Sequence, residues 1–160
     1  MRSWALIPTG FGLWWLSAGL SAIHHLSGPT IILLCLATMI VVAIGLAKNQ
    51  STGERKFDYR SFKYAIIGEA IGISFVMVFC ILAQVPSLII PLIGIVVGLH
   101  FIPLSKAFDD RRFTAAGSAM AFLSLGALLW PAPMRDAVAG IGGGAILWFF
   151  TLWVSLATLR

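Results

Sequence analysis

Two ionisable side chains stand inside apolar stretches of this chain, and they are the residues whose types could do chemistry. Glu69 sits in the uncharged run around Gly68-Glu69-Ala70, between Tyr64 and Gln84. His100 sits near the end of the next such run, before Pro103. Holding an ionisable group inside hydrocarbon costs somewhere between about 2.5 and 10 kcal/mol, so such residues are functional-site candidates by default. A carboxylate and an imidazole placed together can share a proton, pair as ions or hold a cation between them. They can equally form a structural pair that locks one hairpin.

The elements that position them follow from composition. The chain is 59% hydrophobic and 11% charged, against roughly a quarter charged residues in a soluble domain. Its cations cluster in short stretches separated by apolar segments of about twenty residues, the length that spans a bilayer core. The reading is a single all-α domain over residues 1–160, a polytopic membrane protein. Six spans are expected, at about 5–23, 29–47, 64–84, 87–104, 114–130 and 137–157, arranged as three helical hairpins. The first is read as a true span rather than a cleaved leader, because Pro8, Gly10 and Gly12 interrupt its apolar run. The continuous apolar runs lack the alternation of a transmembrane barrel.

Orientation follows from the cations. With both termini cytoplasmic, ten of the eleven Lys and Arg lie inside and only Arg135 lies outside, as the positive-inside rule requires. A bacterial-type inner membrane is the expected location. The net charge of +5 then reflects topology and gives no sign of nucleic acid as a partner.

This topology predicts a depth for each candidate. Glu69 lies about five residues, or roughly 7–8 Å, into the third span at a rise of about 1.5 Å per residue. His100 lies about four residues from the same face on the fourth span. The two spans are joined by a tight outer turn at Gln84-Val85-Pro86-Ser87, so they are expected as antiparallel neighbours with Glu69 and His100 level. Both groups occupy largely apolar faces, where charge is expensive. Pro103 has no N–H and leaves the Leu99 carbonyl without its helical partner, which adds an acceptor at that level. Thr9 and Ser118 reach comparable depth on the first and fifth spans.

Aromatic and small residues suggest the surroundings. Trp4, Tyr64, Trp130 and Trp153 read as interfacial belt residues. Trp14, Trp15, Phe75, Trp148 and Phe149 fall near mid-membrane, where they either pack or line a cavity for a lipophilic or cationic ligand. Gly68/Gly72, Gly94/Gly98 and Gly140/Gly144 have the spacing that lets helices approach closely, within the chain or between copies in a homo-oligomer. Gly94 and Gly98 lie largely opposite His100.

The segment Ala65-Ile66-Ile67-Gly68-Glu69-Ala70-Ile71-Gly72-Ile73-Ser74 resembles the first span of small multidrug resistance transporters. That resemblance implies a coupling role for Glu69 alone. The family has four spans with its Glu in the first, whereas six are expected here with Glu69 in the third.

Several classes drop out. No Gly-x-Ser-x-Gly, His-Glu-x-x-His, P-loop or paired intramembrane Asp is present, so no catalytic residues are assigned. Cys35 and Cys80 read as small hydrophobes. His24 and His25 lie a membrane's thickness from His100, and neither metal nor cofactor is expected. Function narrows to a small transporter or channel-like protein for a proton, cation or lipophilic solute. A non-catalytic membrane subunit or assembly partner is the alternative, with a small intramembrane enzyme further behind.

Overall fold

The structure is a computed structural model that describes residues 6–23, 33, 36–37, 40 and 57–157. The expected second span at 29–47 therefore lies almost wholly outside the described residues, as do Cys35, His24 and His25. The described elements are all helical: α1 Leu6–Ile23, α2 Tyr59–Leu82, a 3-10 turn Pro86–Leu88, α3 Ile89–Ala107, α4 Arg111–Ala127 and α5 Met134–Ala157. Among them, Tyr59–Leu82, Pro86–Ala107 and Met134–Val154 are long and apolar enough to cross a membrane. They mark the chain as a membrane protein.

Hydrogen bonding, not hydropathy, sets where these helices begin and end. The third span was expected from Tyr64, at the first uncharged residue, but α2 starts five residues earlier. Asp58 caps it by accepting from the backbone N–H of Arg60 at 2.9 Å and of Ser61 at 3.3 Å, which satisfies donors that a helix start otherwise leaves open. Asp110 caps α4 in the same way, accepting from the Arg112 N–H at 3.0 Å. Its carboxylate also takes a forked bond from the Arg112 guanidinium, whose Nη2 is 2.7 Å away. As a result α4 carries two arginines in its first turn. The preceding helix, α3, runs on to Ala107 instead of stopping at Leu104.

The ends of α2 and α3 share one device. Gln84 and Asp109 take left-handed backbone conformations, with φ of 58° and 50°. After α2, the Val85 N–H donates to the Cys80 carbonyl at 2.9 Å and the Gln84 N–H to Ile81 at 3.2 Å. After α3, Asp110 N–H donates to Ser105 at 3.0 Å and Asp109 N–H to Lys106 at 3.3 Å. This is the Schellman arrangement, which supplies donors to a helix's last carbonyls. It reverses the chain sharply enough for α3 to pack back on α2 and for α4 to pack back on α3.

The helices stand side by side in the order α2, α3, α4, α5, α1, with α3 also touching α5. Trp15, Val97, Phe101, Phe113, Met120, Leu147 and Phe150 form the buried core. Two seams are closed by glycine. A Cβ added at Gly98 would lie 2.6 Å from the Gly117 carbonyl oxygen and 2.7 Å from the Ala121 nitrogen, which fixes the α3–α4 approach. A Cβ at Gly19 would lie 2.8 Å from the Gly140 carbonyl carbon, which fixes α1 on α5. Gly144 meets the Gly12 carbonyl in that same seam. The Gly94/Gly98 and Gly140/Gly144 pairs are thus occupied inside the chain. Gly68 has open space before it, and Gly72 faces Val96.

Candidate functional site

The seam between α2 and α3 is built differently. The Glu69 Oε2 atom lies 3.6 Å from His100 Nε2, and the two side chains keep only 14% and 10% of their surface. Their common depth follows from the fold: Glu69 is six residues beyond Lys63 on rising α2, and His100 six before Lys106 on descending α3. The separation suits an ion pair and is slightly long for a direct hydrogen bond.

The imidazole is anchored at its other nitrogen. His100 Nδ1 lies 2.7 Å from the Val97 carbonyl oxygen. A carbonyl can only accept, so Nδ1 carries the hydrogen and Nε2 is the atom offered to Glu69. The pair then has a simple proton inventory beyond that fixed hydrogen. With one proton it is neutral overall, either as carboxylic acid and imidazole or as carboxylate and imidazolium. With none it carries −1, and with two it carries +1.

Glu69 and His100 line a cavity of about 340 Å³, within the range of small-molecule sites. Among the described residues the rest of its lining side chains are hydrocarbon. Phe11 comes from α1, Phe62 and Ile66 from α2, and Val97, Phe101 and Leu104 from α3. Phe108 follows α3, Phe113 comes from α4, and Leu147 and Phe150 come from α5. No Lys or Arg is among these lining residues. The phenylalanines form a connected set: Phe108 stacks on Phe113 at 5.1 Å, and Phe113 meets Phe150 edge-on at 4.8 Å. Phe101 lies 4.9 Å from the His100 ring. Phe57 and Phe62 continue the set from Phe108, at 5.4 and 6.1 Å.

One strap holds this end of the seam. The Asp58 N–H donates to the Ala107 carbonyl at 3.0 Å, tying the foot of α2 to the end of α3. Asp58 itself is held below the ordinary carboxylate pKa of 3.8, first by the Ser61 hydroxyl and then by backbone N–H donors. The Ser61 hydroxyl donates at 2.6 Å.

The other expected site residues fall elsewhere. Leu99 points outward and is half exposed, and its side chain is not part of the wall, although Pro103 does stand inside α3. Thr9 is fully buried in the α1–α5 seam, where its carbonyl accepts from Trp148 Nε1 at 3.3 Å. Ser118 is half-buried on α4, away from the wall. Among the aromatics named for a cavity, Trp15 is core, Trp14 is exposed beside it, and Phe75 is exposed and stacked on Phe79. Trp148 packs on Gly12. The rings that do surround Glu69 are phenylalanines that sequence reading passed over. Phe62 was within reach, since it lies seven residues before Glu69 on the same helix face, but only if α2 begins before Tyr64.

Among the described residues no group of three or more His, Cys, Asp or Glu side chains is placed to hold a metal ion. Comparison of the chain with family models, with curated proteins and with solved structures found no match.

Proposed function

We propose that this is a small transporter or channel-like protein that moves a proton, a cation or a small lipophilic solute, using Glu69 as its membrane-embedded carboxylate. The proposal includes six spans with both termini cytoplasmic, in a bacterial-type inner membrane. The observation that carries it is the Glu69–His100 pair facing a cavity whose wall comes from all five described helices. A purely structural pair is served as well by a closed seam, of the kind α3 and α4 make at Gly98. Here 340 Å³ of open space lies against the only acid in the three long apolar helices whose flanking residues are all uncharged.

The test is Glu69→Gln in proteoliposomes carrying a pH gradient. The amide keeps the shape and can donate to His100 Nε2, so insertion and folding should be retained. Gradient-driven uptake or proton flux should fall at least tenfold. Unchanged flux in a correctly inserted variant rejects the coupling role.

A second reading, that of a membrane subunit or homo-oligomer, rests on α2. Its outward face presents Ile67, Ile71, Phe75, Val78 and Leu82, beside the open space at Gly68. A cross-linkable cysteine at Gly68 should trap a dimer or a partner if this face is an interface.

A further inference from the structure

A second cavity, of about 340 Å³, lies in the groove between α4 and α5. Ala115, Ala116 and Ala119 line it from α4, and Ala145, Phe149 and Trp153 from α5. Among the described residues Phe150 alone borders both this cavity and the one at Glu69. Ala115, Ala119 and Ala145 are exposed, as are Phe149 and Trp153, so in a membrane the groove is open sideways to lipid. The Trp153 indole supplies the only nitrogen or oxygen among the described side chains that line it.

We infer that this groove holds one acyl chain of an anionic phospholipid whose phosphate rests on Arg111. The helix register brings the two parts together. Leu123 meets Gly142, Met120 meets Gly143, and the Phe113 ring lies 4.8 Å from Phe150, so α4 and α5 run antiparallel. Continuing that pairing toward the start of α4 sets Arg111 level with Trp153. From there the α5 wall extends eight residues back to Ala145, about 12 Å at a rise of about 1.5 Å per residue, into the apolar span. Ala115 and Ala119 follow Arg111 at four-residue spacing, which keeps all three on one side of the helix. The short side chains leave a furrow that a slender hydrocarbon chain fills, and an unfilled void would forfeit the dispersion contacts of its lining.

Charge selects the headgroup. The Arg112 guanidinium is held by Asp110, with Nη2 2.7 Å from the carboxylate. Arg111 is exposed and has no ion-pair partner among the described residues. Lys106, Arg111 and Arg112 stand at this corner against Asp109 and Asp110, an excess of one positive charge. A guanidinium matches phosphate through two parallel N–H bonds. A zwitterionic lipid would bring its own cation beside Arg111 and Lys106, whereas an anionic one brings none. A second copy of the chain fits worse. Two copies in one membrane share their orientation, so a two-fold contact through this face would set Arg111 level with its like-charged counterpart.

The experiment uses the full-length protein, purified in a neutral detergent and stripped of lipid. It is titrated with dioleoyl phosphatidylglycerol or dioleoyl phosphatidylcholine, and bound lipid is counted by native mass spectrometry. One phosphatidylglycerol should be held about fivefold more tightly than phosphatidylcholine, the preference that one exposed cation gives at an anionic lipid. Arg111→Gln should remove that preference. Ala119→Leu fills the groove from an exposed position, and it should weaken both lipids while leaving their ratio unchanged. Arg60→Gln, at the same end of the bundle on α2, should alter neither. Equal retention of the two lipids overturns the inference, as does a preference that survives Arg111→Gln or vanishes in Arg60→Gln. Lipid binding untouched by Ala119→Leu also overturns it. So does a lipid-free dimer abolished by Ala119→Leu, which would give the groove to a second copy. None of these variants touches Glu69, so the transport reading is judged separately by the Glu69→Gln flux measurement.

Discussion

The α1–α5 and α3–α4 seams on one side, and the α2–α3 seam on the other, solve the same packing problem in opposite ways. In the first two, glycines bring backbone against backbone: Gly19 on Gly140, and Gly98 on Gly117. At the third, a Glu and a His meet across the seam and line a cavity whose other walls are large rings and aliphatic side chains. Small residues therefore mark the frame of this molecule, and bulky residues around an unusual charge mark its candidate site. The largest effect should come from violating the frame. Gly140→Ile pushes a branched side chain into the Gly19 backbone, and overpacking a close-fitted seam typically costs about 1–3 kcal/mol or more. Because backbone rather than side chain is in the way, the upper end is expected, about 3 kcal/mol, read from reversible unfolding in mixed micelles. A loss under about 1 kcal/mol would show that the seam is looser than its geometry.

The α2–α3 seam should respond through coupling rather than through volume. Glu69→Leu or His100→Leu alone leaves one polar group facing carbon, at a cost of about 1–3 kcal/mol. Removing both together relieves that mismatch. The double variant should therefore lie about 1–2 kcal/mol above the sum of the singles, the size of interaction seen for contacting groups. Combining either single with Gly140→Ile should give simple addition, because the two seams share no residues. Additivity within the Glu69/His100 cycle would mean that the 3.6 Å pair carries no energy.

Glu69 and His100 could be placed level before any coordinates because one tight turn joins their helices. Counting back from Gln84–Ser87 on both sides is then enough. The close-packing role of Gly94 and Gly98 was also readable, since both lie opposite His100 on the same helix. The partners Gly117, which meets Gly98, and Gly19, which meets Gly140, were not, because pairing between helices distant in sequence is a property of the bundle. The aromatic wall escaped for the same reason, with Phe11, Phe113 and Phe150 coming from three different helices. For Trp14, Trp15, Phe75 and Trp148 the sequence shows depth in the membrane but not which way each ring faces. The helix ends are misplaced at Tyr64 and Leu104 because hydropathy registers the first charge, whereas the Asp58 cap starts α2 before it and the left-handed turn at Asp109 ends α3 beyond it.

The smallest expected effect lies at the strap below the cavity, and it has a sign in pH. Ser61 and its neighbours hold the Asp58 carboxyl below its ordinary value of 3.8. A group depressed on folding contributes stability that is fully present above its unfolded pKa and is lost as pH falls through its folded one. The start of α2 should therefore be firm at neutral pH and loosen below about pH 3.8. The readout is amide exchange at Arg60 and Ser61, expressed as protection relative to the unfolded chain. Asp58→Asn should flatten that dependence, because an amide oxygen still accepts from both N–H groups without titrating. The Asp58 N–H bond to the Ala107 carbonyl involves neither side chain, so protection of that amide should stay constant in both proteins. If it fell in parallel with Arg60, acid would be opening the whole end of the α2–α3 seam, and the cap and the strap would be one cooperative unit.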